Sequence, residues 1–107
     1  MDKYLDGLPV FVEKIREIRE IIISNIVLMG QVPAPTFHER QRAAHLVARM
    51  AAFQVDACAI DDFGNPMAVI RGTSLTKPPI FVVAHLDTFS EVKNNLHYEV
   101  TDKIISG

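Results

Sequence analysis

A histidine and an aspartate two residues apart, His85 and Asp87, close the apolar run Ile80-Phe81-Val82-Val83-Ala84. Neutral imidazole is a ligand for zinc, and a carboxylate beside it fixes its orientation and raises its basicity. Along a strand, side chains alternate between faces, so a residue and its second neighbour project into the same space. In open α/β sheets, ligands bind beyond the carboxyl ends of the strands, which is where this pair falls. Catalytic zinc takes three protein ligands and a water, so His85 and Asp87 supply at most two of the groups required.

The other polar side chains do not complete such a site. His38 and His45 are seven residues apart on one expected helix, roughly two turns or about 10 Å along its axis, too far to share an ion unaided. His97 lies in the last segment, and all three read as ordinary surface or hydrogen-bonded histidines. Asp61 and Asp62 open Asp-Asp-Phe-Gly-Asn, a composition that a tight turn demands. Cys58 sits in a strand pattern with no base beside it, which makes it a small packing residue rather than a nucleophile. Ser74, Ser90 and Ser106 lie outside any Gly-x-Ser-x-Gly elbow, which disfavours a Ser-His-Asp enzyme.

The elements that must position the pair follow from periodicity. From Val10 to Met29, Phe11, Ile15, Ile18, Ile22, Ile26 and Met29 recur at steps of three and four, marking one helix face, and Gly30 ends it. The charged residues between Glu13 and Glu20 fall mostly off that stripe and read as a wetted side. Pro33 and Pro35 make a rigid extended connector. Thr36, followed three residues later by Glu39, has capping-box spacing and starts a second helix. This helix buries Ala43, Leu46, Val47, Met50 and Phe53 and ends near Phe53. Residues 55–60 alternate like a half-buried strand, residues 67–71 form its return, and the Asp61–Asn65 turn joins them as a hairpin. Residues 72–79 are a loop, and the run from Ile80 suits a central strand covered on both faces. Residues 88–95 then read as a connection and 96–100 as a short edge strand. The expected fold class is α/β, two helices packed on a mixed β-sheet.

Composition narrows the functional classes. The chain has 107 residues, 49% of them hydrophobic, enough for a core in one small domain or part of a larger one. Eleven basic and 13 acidic side chains give a formal charge of -2 with no block of either sign, so no nucleic-acid partner is expected. One cysteine forbids an internal disulfide and suits the cytoplasm. The first dozen residues lack a secretory h-region, and the longest apolar stretch, from Ile21 to Met29, is too short to span a bilayer. No repeat or low-complexity tract is present.

Taken in order, Val32-Pro33-Ala34-Pro35-Thr36-Phe37-His38-Glu39, Arg42, Asp62-Phe63-Gly64-Asn65 and Val82-Val83-Ala84-His85-Leu86-Asp87-Thr88 resemble the start of the M20-type metallopeptidases. These are dinuclear-zinc aminoacylases, dipeptidases, tripeptidases and carboxypeptidases. The resemblance covers nearly all 107 residues and implies that they are the N-terminal portion of a dinuclear-zinc exopeptidase catalytic domain. It implies that His85 is a zinc ligand, and that Asp87 orients it or supports the catalytic centre without bridging the metals. It also implies a short peptide or N-acyl amino acid as substrate and a homodimer as one assembly of the complete protein.

Members of the family continue past an Ile-x-Gly element such as Ile105-Ser106-Gly107 into a Gly-Asp-Asn-type motif carrying the bridging aspartate. A Glu-Glu pair, a further acidic ligand, a final histidine and a lid or dimerisation domain follow in the family. On this reading those parts lie outside the sequence, and the segment alone is expected to be inactive. Two other readings explain fewer residues. One is a non-catalytic interaction module or remnant that keeps the first layer of the fold and exposes an unpaired sheet edge near Ile80 to Ala84. The other is an unrelated α/β domain in which His85 only caps a strand.

Overall fold

In the computed structural model, residues 5–89 and 97–106 are described, and they form three helices and two separate antiparallel strand pairs. The helices are α1 (Leu8–Glu17), α2 (Arg19–Gly30) and α3 (Arg40–Ala52). The strands are β1 (Asp56–Ile60), β2 (Pro66–Val69), β3 (Glu99–Val100) and β4 (Ile105–Ser106). The chain is thus a mixed α/β structure, but the expected two helices on one mixed sheet are not what the described residues build.

The first correction concerns the helix expected over 10–29, which is divided at Ile18 (φ −98°, ψ 11°) into α1 and α2. Neither proline nor glycine stands there. The amide of Ile18 still donates to Lys14 O and that of Ile22 to Ile18 O, so the hydrogen-bond ladder runs across the bend. Nor does the stripe form a core: Phe11 is 64% exposed and Ile15 56%. In α2 Met29 is half-buried as the stripe requires, but Ile22 and Ile26 are exposed while Ile23 and Val27, one position further on, are half-buried. Gly30 ends α2 as expected, and it has a further use: a Cβ there would meet the Tyr98 hydroxyl at 2.6 Å. Without a Cβ at residue 30, the tip of the Tyr98 ring can lie against the helix end.

The second correction is at the start of α3. Glu39 occupies the N-cap position, no side chain caps the helix, and helical structure begins only at Arg40. The capping box does not form because the chain makes another turn first. Phe37 adopts φ 70°, its amide donates to Glu39 Oε1 (2.7 Å), and the His38 amide donates to Pro35 O (2.8 Å). Left-handed backbone costs a non-glycine residue roughly 1–2 kcal/mol. Within α3, Ala43 is buried and Leu46, Val47 and Met50 are half-buried, but Phe53 is 52% exposed beneath the Arg49 guanidinium, 5.1 Å from its ring centroid. Arg49 also donates twice to Asn25 Oδ1, tying α3 to α2.

The hairpin is where the alternation places it. β1 and β2 pair antiparallel, with Asp56 opposite Val69 and Ile60 opposite Pro66, and a bulge intervenes where Ala57 takes φ 47°. Asp61 closes the turn: its Oδ1 accepts the amides of Phe63 and Asn65, its Oδ2 accepts the Asn65 side-chain amide, and Gly64 supplies φ 92°. Helix α3 packs over this hairpin. The expected strand over 96–100 is shorter: Glu99–Val100 pairs with Ile105–Ser106, and Leu96 lies outside the described residues, as does most of the connection over 88–95.

The third correction is the largest. Residues 80–84 join no sheet: Ile80 is 91% exposed, Phe81 87%, Val82 86% and Val83 74%. A strand needs neighbours on both edges to be central, and among the described residues this one has none. Among the described residues the one parallel contact is a single bridge between Pro35 and Thr88. Among the described residues the buried apolar side chains are Ala34 and Ala43, with no large side chain fully enclosed. The radius of gyration, 16.7 Å, exceeds the roughly 13 Å of a compact domain of this length.

Candidate functional site

Polar contacts gather the site where the Val32–Arg42 segment meets Leu86–Thr88. Arg42, on the first turn of α3, is 5% exposed, and its guanidinium bridges two separate stretches of backbone. Its Nε donates to Val32 O and its Nη1 to Leu86 O, both at 2.8 Å. The Thr88 amide donates to Ala34 O at 2.8 Å. The Thr36 hydroxyl donates to Asp87 Oδ2 at 2.9 Å.

This arrangement decides where the two candidate side chains sit. Asp87 is held low on the surface with its side chain 29% exposed, and its Oδ1 lies 3.4 Å from His85 Nδ1. The His85 side chain is 98% exposed, so its outer nitrogen faces open space. The structure therefore brings His85 and Asp87 together, as their alternation demands, with no sheet around them among the described residues. The Asp87 carboxyl is held below the usual aspartate value, first by the Thr36 hydroxyl and further by the adjacent His85; partial desolvation opposes both. A carboxylate so held stays ionised and keeps an acceptor beside the imidazole.

An open groove of about 1220 Å³ is lined by His85 and Asp87, by the Asp61–Asn65 turn and by Phe37 and Glu39. Asp61 lines the groove but serves the turn. Hydrogen bonds from the Asn65 side chain and from the turn amides hold the Asp61 carboxyl below its ordinary value.

Among the described residues, no three His, Cys, Asp or Glu side chains converge closely enough to hold a metal. His85 and Asp87 bring two such side chains together. His38 and His97 are exposed and His45 is half-buried. Cys58 is half-buried, its thiol donating to Val55 O. Two buried nitrogens, Arg42 Nη2 and His45 Nε2, have no hydrogen-bond partner among the described residues. No helix among those residues is long and apolar enough to cross a membrane.

Sequence reasoning did not assign a role to Thr36 or Arg42 in holding the pair. Thr36 carries an apparent capping-box signal, and its partner lies 51 residues away. Arg42 enters the sequence reading only through the family resemblance, and carbonyl groups from two other segments draw it inward. Neither family models nor curated proteins match the chain.

Proposed function

We propose that this chain provides the first metal-binding corner of a zinc-dependent amidohydrolase of the M20 type, acting on short peptides or N-acyl amino acids. The observation that carries the reading is the His85–Asp87 pair: a solvent-facing imidazole braced by an ionised carboxylate at the end of an apolar strand sequence. His85 would donate its outer nitrogen to the metal. Asp87 would accept the proton on the inner nitrogen and set the tautomer. Zinc bound there supplies Lewis acidity, polarising a scissile carbonyl and lowering the pKa of water. The groove beside the pair offers room for a small substrate.

Energetics support a larger catalytic domain around this layer. Fully burying an Ile, Phe or Val side chain is worth about 1.5–3 kcal/mol, so the four residues from Ile80 to Val83 forgo on the order of 6–12 kcal/mol. That rivals the whole stability of a typical domain, about 5–15 kcal/mol. Such a run belongs inside a sheet whose other strands come from elsewhere. In this reading the segment by itself is inactive, because His85 and Asp87 supply one corner of a two-metal centre.

Zinc titration of the chain and of His85→Ala, with turnover assayed on dipeptides and N-acyl amino acids, tests the proposal. Weak binding that disappears with His85, and no turnover by the segment alone, is the expected result. Equal binding by both forms would sink the metal assignment. The exposed Ile80–Val83 run favours one second reading, an interaction module that pairs its free edge with another chain. Zinc-independent self-association that rises with concentration and is lost in Val82→Lys would select it.

A further inference from the structure

The side chain that orients the candidate metal corner comes from outside the His85-Leu86-Asp87 tripeptide. Asp87 has two oxygens, and they do different work: Oδ1 faces His85 Nδ1 at 3.4 Å, while Oδ2 accepts the Thr36 hydroxyl at 2.9 Å. A carboxylate is planar, so anchoring one oxygen fixes the direction of the other. Without that anchor, rotation about the Cβ–Cγ bond is broad and would turn Oδ1 away from the ring.

The backbone around the contact is already held by other groups. Arg42 grips Leu86 O and Val32 O, and the Thr88 amide is bound to Ala34 O. These bonds bring residues 36 and 87 into register across 51 positions of chain. Thr36 is left free to serve Asp87 because the turn at Phe37 delays the helix and Glu39 takes the Phe37 amide. A threonine that capped α3 would have its hydroxyl committed to helix amides.

We infer that Thr36 is a positioning residue, whose hydroxyl fixes the Asp87 carboxylate so that its other oxygen holds His85 in ligating orientation. The consequence for metal binding rests on the amidohydrolase reading above; the orientation of Asp87 and His85 does not. Outer-shell partners of metal-ligating histidines are typically worth about 10–100-fold in metal affinity. A hydroxyl one step further out should fall near the lower end of that range.

The test uses the intact polypeptide with Thr36→Val, Thr36→Ala and Thr36→Ser, each checked for folding by circular dichroism. The Asp87 carboxyl carbon and His85 ring nitrogens are followed by NMR without metal, together with exchange of the Thr88 amide. Zinc affinity is then measured by competition with a chromophoric chelator. Thr36→Val and Thr36→Ala should both move the Asp87 and His85 resonances and weaken zinc binding by about tenfold. Thr36→Ser should restore both, and Thr88 exchange should be the same in all forms. Unmoved resonances in the two hydroxyl-less variants would overturn the inference. So would a matching acceleration of Thr88 exchange, which would make Thr36 a simple staple. If no form binds zinc, the unaltered chain included, the metalloenzyme reading fails, and the resonances still decide Thr36.

Discussion

Ile80–Val83 and Leu86–Thr88 are neighbours in sequence and opposites in circumstance. The first is apolar, exposed and unpaired; the second is tied to the Val32–Arg42 segment by short hydrogen bonds. The difference shows what each kind of interaction requires. A hydrogen bond needs one correctly placed partner, and Arg42 or Ala34 can supply it alone. Hydrophobic burial needs a surrounding surface, which no single segment provides. The His85–Asp87 pair can therefore be held in place by hydrogen bonds without burial of the apolar run beside it.

Breaking the clasp at its buried arginine gives the largest effect. Arg42→Met keeps the aliphatic bulk but removes both donors, leaving Val32 O and Leu86 O without them. A loss of about 3 kcal/mol is expected, from two hydrogen bonds to a charged group at about 1.5–3 kcal/mol each, partly replaced by water. Urea denaturation measures the loss, and faster amide exchange at Thr88 should accompany it. A midpoint unchanged from the parent would show that the guanidinium holds nothing together.

A smaller effect is expected at Phe37. Its side chain is 91% exposed and its backbone lies at φ 70°, so Phe37→Gly should relieve strain without losing packing. The net gain should be at most about 1 kcal/mol, because glycine also loses more entropy on folding. Thermal melting tests the sign, and a clear loss of stability would contradict the strained-turn assignment.

On the apolar side, Val82→Ser should change the stability of this chain by less than about 0.5 kcal/mol, as for other surface substitutions. The same substitution in a protein where the run is enclosed should cost several times more, by the transfer energy of a buried valine. Equal costs in both settings would erase the distinction between the two regions.

The smallest effect is expected at the Asp61–Asn65 turn, in acid. The Asp61 carboxyl titrates below its ordinary value of 3.8, so its contribution to the turn is complete above that value. As pH falls through the lowered folded value, protonation removes the acceptor for Phe63 and Asn65, and the contribution is lost. The amide resonances of those two residues should shift together in acid. Asp61→Asn should abolish this shared transition.

How much was legible in the sequence varied with the range of the interaction. The Asp61–Asn65 turn and its flanking strands were readable because an aspartate, a glycine and short alternating runs act within a few residues. The His85–Asp87 pairing was readable for the same reason, since alternation along extended chain operates over two positions. Thr36 was misread because capping-box spacing is also local, and nothing local reveals a carboxylate 51 residues away. Ile18 interrupts a helix that its periodicity joins, without the proline or glycine that would announce a bend.

By itself, then, the sequence determined the turn chemistry, the helical and extended segments, and the placing of a metal-type ligand beside a carboxylate at the end of an apolar run. Tertiary structure alone decided which groups hold that pair: the Thr36 hydroxyl on Asp87, and a buried arginine gripping Leu86 and Val32. The division has a physical cause. Backbone conformation and alternation are properties of adjacent residues, whereas a hydrogen bond between distant segments exists only after folding has brought donor and acceptor to within about 3 Å.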